Sequence, residues 1–130
     1  MPLSDGLPWH DLAAQREALS LAWPAIVKRL TETVGRKLTA YIAGKEDTDV
    51  LDQWISGTKP SGDVEERLRF TYQVVRTLSQ HDSPRIVQAW LTGVNPELGD
   101  RVPLRVLRDG DLATIAPEIL AAARAFIAGA

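Results

Sequence analysis

The sequence contains no cysteine, only two histidines and only 4 Trp, 2 Tyr and 2 Phe among its 130 residues. The chain therefore folds without disulfides, and the absence of cysteine agrees with a reducing compartment. A zinc site needs several Cys, His or carboxylate ligands at close spacing, and two isolated histidines do not supply them. Neither common Gly-rich phosphate loop is present. An excess of one charge is also lacking: 15 Lys+Arg against 17 Asp+Glu leave a net charge of −2. Splitting the chain at Pro60 reveals no hidden basic half, because residues 1–60 carry 7 basic and 8 acidic groups and residues 61–130 carry 8 and 9. A dedicated nucleic-acid binder usually shows a basic excess over at least one face, so bulk charge disfavours DNA as the main partner. No run approaches the roughly 18 apolar residues of a membrane span. The opening MPLSDGLPWHD has neither a basic n-region nor an apolar h-region, so the expected address is the cytoplasm, with no membrane partner.

What is present is ordinary globular material, 45% hydrophobic and 25% charged, punctuated at short intervals by Gly and Pro. The segments between the breakers have helical period. Pro8-Trp9-His10-Asp11 opens a stretch through Leu12, Ala13, Arg16 and Leu19. Pro24 suits the first turn of a second helix with the stripe Ile26, Val27, Leu30 and Val34, stopped at Gly35. A short helix from Arg36 to Ala43 ends at Gly44, and the next spans about Asp47 to Ser56. Asp63-Val64-Glu65-Glu66 reads as a capping-box start to the longest helix, with Val64, Leu68, Thr71, Val75 and Leu78 inward. Ser83-Pro84 is a strong start to a helix burying Ile86, Val87, Trp90 and Leu91. A turn-rich loop, 94–102, precedes a short helix from Pro103 to Arg108. Asp111 caps a last helix with Ile115, Ile119, Ala123, Phe126 and Ile127 on one side. Pro117 requires that helix to kink or to begin later.

No period-2 segment or hairpin signal is found. The expectation is an all-α fold of about eight short helices, divided near 58–62 into regions 1–60 and 61–130. Its core is predicted to include Leu30, Ile42, Trp54, Leu68, Val75, Trp90, Leu107 and Ile119. Ser79, His81, Asp82 and Ser83 are neighbours at a helix end and point in different directions, whereas a catalytic triad converges from separated segments. His10 and His81 read as surface or capping residues. The chain is expected not to be an enzyme and to use no cofactor.

Two constellations carry functional information. In RKLTAYIAGKEDTDVLDQWISGTKP (36–60), a helix, a glycine turn and a second helix with a tryptophan near its end resemble an Xre-type helix-turn-helix at 36–57. Its turn is about one residue longer than the common spacing. Arg36, Lys37 and Lys59 are the candidate phosphate contacts, and Thr48 and Gln53 the candidate base readers. Glu46, Asp47, Asp49 and Asp52 crowd the would-be recognition helix and repel phosphate.

In residues 83–130, Ala89-Trp90-Leu91, Asn95-Pro96, Leu98-Gly99, Pro103-Leu104, Leu107 and Gly110, followed by an amphipathic helix, resemble the toxin-binding domain of Xre/ParS/MbcA antitoxins. The sequence has Gly99-Asp100-Arg101 where that family often has a second glycine. The resemblance implies a stoichiometric inhibitor that masks a protein toxin of the RES class, an enzyme family that degrades NAD. It also implies autoregulation of its operon through the helix-turn-helix, and a homo-oligomer is expected. From the residues themselves, Arg101, Arg105 and Arg108 recur at helical spacing and are expected to form one basic stripe beside the loop, suited to a carboxylate or phosphate partner. Gly99, Asp100, Arg101, Arg105 and Arg108 are thus the candidate partner-binding residues. A stand-alone helix-turn-helix regulator and a helical interaction scaffold are the alternative readings.

Overall fold

The computed structural model describes the backbone of residues 9–129 and side chains from residue 12 onward. The expected start at Pro8 and the side chain of His10 lie outside this range. The described chain is all-helical, with α1 (Trp9–Ser20), α2 (Trp23–Val34), α3 (Arg36–Ile42), α4 (Asp49–Ile55), α5 (Gly62–Ser79), α6 (Pro84–Thr92), α7 (Pro103–Asp109) and α8 (Leu112–Ile127). A single 3-10 turn at Pro96–Leu98 interrupts the loop before α7. Among the described residues the only β-type pairing is one isolated bridge between Asn95 and Arg101.

α5 is the axle of the fold. It packs against α1, α2, α3, α6, α7 and α8, and its second half is buried nearly all round, from Leu68 through Leu78. A helix buried on every side must dispose of its polar atoms. The hydroxyls of Thr71 and Thr77 donate back to the carbonyls of Arg67 and Gln73, at 2.8 and 2.9 Å, the local bond that lets threonine enter a core. One continuous buried cluster runs from Ala18 on α1 to Ala123 on α8 and takes in residues from both sides of the 58–62 connection. All eight predicted core residues lie in it.

Local chemistry accounts for the element ends. Pro24 occupies the first turn of α2. Gly35 closes α2 and opens α3 at φ +92°, a conformation that only glycine adopts cheaply. Ser83 caps α6 by accepting from the Ile86 N–H at 3.4 Å, and Asp111 caps α8 by accepting from the Thr114 N–H. α5 begins at Gly62 with Ser61 as its cap residue, two residues before the expected cap at Asp63. α8 begins at once after Asp111 and runs through Pro117. The proline removes one N–H and frees the Ala113 carbonyl, and the exposure of both residues leaves that oxygen to water.

Three expected stripes are corrected by the packing. On α1 the inward residues are Ala14 and Ala18, whose small side chains admit close approach to α5, and Leu19 is 70% exposed. On α6 Val87, Trp90 and Leu91 are buried, but Ile86 is 42% exposed. On α8 Ala122 replaces Phe126 on the inner face, and Phe126 is 37% exposed.

Candidate functional site

The loop after α6 is built around Asn95, which is buried. Its backbone N–H donates to the Arg101 carbonyl at 3.0 Å, and its carbonyl accepts from Leu98 and Asp100. Its side-chain Oδ1 accepts from the Glu97 N–H at 2.9 Å, the asparagine turn that Asn-Pro suggests. Gly99 and Asp100 then both take φ +64°. Asp100 therefore holds a left-handed conformation that favours glycine. Arg101 fastens the loop from outside: its Nε donates to the Leu98 carbonyl at 2.7 Å and its Nη2 to Glu118 of α8 at 2.9 Å.

The three arginines do not form one stripe. Val102 is extended and α7 starts only at Pro103, so helical spacing does not carry across from Arg101. Arg101 and Arg105 line a depression with Asp100, Val106, Asp109 and Ile115. Arg108 lies over the Tyr41 ring of α3, 4.4 Å from its centroid, and faces a different depression shared with Lys37, Lys45 and Thr48. Arg108 also approaches Asp109 at 3.6 Å. Arg105 is exposed and has no ion pair among the described residues. Gly99 lies exposed at the tip of the same loop.

The helix behind this surface is fixed by a residue the sequence reading passed over. Arg67 of α5 donates through Nη1 to the carbonyls of Leu107 and Gly110 at the end of α7, the second at 2.9 Å. Gly110 has ordinary backbone angles, but a Cβ there would lie 2.6 Å from Ile115 Cγ2 and 2.7 Å from the Val106 carbonyl oxygen. It is glycine because α7 and α8 meet there without room for a methyl group. An arginine in an otherwise helical stripe gives no sequence signal for such a role.

Of the candidate DNA set, the side chains of Arg36 and Lys59 have ionic partners within the fold. α3 and α4 flank a turn at 43–48. Arg36 makes a two-pronged pair with Asp52 at 2.9 and 3.1 Å and also donates to the Thr48 carbonyl at 3.0 Å. The pair lowers the Asp52 carboxyl and raises the Arg36 guanidinium from their ordinary values, chiefly by the hydrogen bond between them. Lys59 lies 3.8 Å from Glu65. Lys37 and Gln53 are exposed, while Asp49 and Asp52 face solvent beside Gln53 on α4. Trp23 anchors this region from within, with its ring centroid 5.6 Å from that of Trp54 and its Nε1 donating to the Thr58 carbonyl at 3.1 Å.

A second surface appears where the stripes failed. Ile86, Ala89 and Trp90 of α6, with Gly93 just past its end, face Ala122, Ala125 and Phe126 of α8 across an open groove, with the Val94–Glu97 loop closing one end. Ile86, Val94 and Phe126 are three of the four exposed large hydrophobics in the described chain, and all line this groove. Elsewhere, Ser83 serves as the α6 cap. Among the described residues, no three Cys, His, Asp or Glu side chains are placed to hold a metal ion, and no helix is long and apolar enough to cross a membrane. No protein-family model, curated protein or solved structure matches the chain.

Proposed function

We propose that this chain is an antitoxin-like binding protein that masks a protein toxin of the RES class and performs no catalysis itself, with no cofactor. The observation that supports this best is Arg105. It is an exposed, unpaired guanidinium beside a loop that Asn95 and Arg101 hold rigid, on a helix that Arg67 fixes from behind. Binding determinants characteristically sit on loops carried by such a scaffold. A guanidinium free of internal partners is suited to pair with a carboxylate on a docking protein. The surface is Gly99, Asp100, Arg101 and Arg105 with the adjoining part of α8. Arg108, turned toward Tyr41, lies at its edge. The resemblance of residues 83–130 to a toxin-binding domain supplies the partner class.

A stand-alone regulator that reads DNA through 36–57 is less well supported. Its arginine is committed to Asp52, and its outer helix face is acidic. The cytoplasm is the proposed site of action. The test is co-expression with a RES-class protein from the neighbouring gene, followed by affinity capture and an NAD-degradation assay. A stoichiometric complex with suppressed NAD loss is expected. Separate elution with full toxin activity would overturn the reading.

A further inference from the structure

The groove between α6 and α8 is apolar along its floor and uncovered. Residues Ile86, Ala89 and Trp90 of α6 fall at i, i+3 and i+4, a helical stripe of the kind that normally packs against another helix, and Gly93, the extended residue that ends α6, continues the groove beyond it. Val87 and Leu91, to one side, already pack into this chain's core. Ala89 and Gly93 carry almost no side chain, so a second helix backbone can approach closely over them. Monomeric proteins seldom leave such a stripe open between flanking exposed hydrophobics without a partner for it.

The charges at its two ends say what that partner is. Glu97 stands in the loop that closes the groove beyond the end of α6. Arg85 stands at the opposite end of α6, one turn before Ala89. Both are exposed, and neither side chain has an ion pair among the described residues. A surface with an unpaired cation at one end and an unpaired anion at the other is complementary to itself reversed. A twofold axis across α6 lays the two helices antiparallel and sets each Arg85 against the other copy's Glu97. This is the isologous arrangement in which one patch serves both sides of the contact.

We propose that the α6/α8 groove is the contact of a twofold homodimer. Ile86, Val94 and Phe126 supply its exposed apolar contacts, and two reciprocal Arg85–Glu97 pairs fix its direction. The groove is smaller than the roughly 800 Å² per partner of a standard interface, so the dimer is a weak one that dissociates on dilution. This surface is distinct from the one around Arg105, and the two stand or fall separately.

Sedimentation velocity of the purified chain across a dilution series tests the proposal, with a thermal melt beside each variant. A concentration-dependent monomer–dimer equilibrium is expected, and Val94→Glu should abolish it, since Val94 is 66% exposed and its replacement leaves the core intact. Arg85→Glu and Glu97→Arg should each weaken the dimer on the order of tenfold or more by placing like charges opposite one another. Mixing the two variants should restore it, because both cross pairs then become attractive. These charge variants decide the matter even if Val94→Glu lowers the melt. A chain that stays monomeric at the highest concentration, a dimer indifferent to Val94→Glu, or charge variants that fail to rescue one another would overturn the proposal.

Discussion

Arg67 and Gly110 are 43 residues apart in sequence, yet the guanidinium of the first donates to the carbonyl of the second at 2.9 Å. With a second bond to Leu107 it satisfies two of the carbonyls that the end of a helix leaves without intrahelical partners. Arg69, two residues on, does the same for α1, donating to Ala18 and Leu21 at 2.9 and 2.8 Å. The central helix thus closes the ends of two neighbours on opposite sides.

Arg67→Ala should therefore destabilise the fold by about 1–3 kcal/mol, the usual consequence of leaving buried polar groups unsatisfied. Gly110→Ala should lower stability by a similar ~1–3 kcal/mol, here through overpacking against Ile115 and the Val106 carbonyl. Chemical denaturation of both variants checks this. Wild-type midpoints for both would mean that the α7–α8 junction relaxes freely.

Acid and alkali should each loosen α1 from α5 through one network. Tyr72 donates to Glu17, which also accepts from Arg76 at 3.1 Å and Arg29 at 3.3 Å. Burial pushes the Glu17 carboxyl up, but the Tyr72 hydroxyl and the two arginines outweigh it and hold the group below its ordinary value. Its stabilising contribution is complete above the unfolded value near ~4.3 and is lost as pH falls through the lower folded one. Tyr72 is shifted the other way, first by burial and then by its bond to Glu17. Its contribution is complete below about 10 and is lost as pH rises through the raised value. Melting temperature against pH should fall on both sides. Glu17→Gln should flatten the acid limb, and Tyr72→Phe the alkaline one. Unchanged limbs in both variants would remove the network from the pH response.

Much of this fold was legible in the sequence because Gly, Pro and capping residues punctuate apolar stripes of helical period. That is why Leu30, Trp54, Leu68 and Ile119 could be placed inside from spacing alone. Periodicity shows that a residue can face inward, not whether another element arrives to cover it. Ile86 and Phe126 fit their stripes and are left open because nothing within the described chain covers that edge of α6 and α8. The candidate site was less legible for a related reason. Equal spacing of Arg101, Arg105 and Arg108 implied one helix face, but the extended Val102 breaks the helix between the first two, and Tyr41, sixty-seven residues before Arg108, draws that side chain away. Arg67 and Arg69 act on partners at sequence distances that no local pattern records.

DNA binding by the isolated chain should be weak or absent at physiological salt. Arg36 is held by Asp52, Lys59 lies near Glu65, and Glu46, Asp47 and Asp49 add repulsion around α4. A mobility-shift titration with the chain's own promoter checks this. Nanomolar binding abolished by Gln53→Ala would show that α4 reads bases despite its charge.

The partner surface gives the last prediction, and its two arginines should behave differently. Arg105 has no internal ion pair, so Arg105→Glu changes only what the surface presents. Exposed substitutions of this kind shift stability by no more than about 0.5 kcal/mol, and the melt should remain at the wild-type value while capture of the RES-class protein falls. Arg101→Glu also removes the donation to the Leu98 carbonyl and the bond to Glu118, an exposed pair whose loss is expected to cost about 0.2–1 kcal/mol, and sets two carboxylates opposite each other. Its melt should fall slightly as its binding weakens. Adding Glu118→Arg to Arg101→Glu reverses the pair and should recover part of the melt, the donation to the Leu98 carbonyl staying lost, without recovering binding, because the partner then meets a carboxylate where the guanidinium stood. Recovery of both together would assign Arg101 to holding the loop in place, and capture unchanged in all three variants would remove this surface from the mechanism.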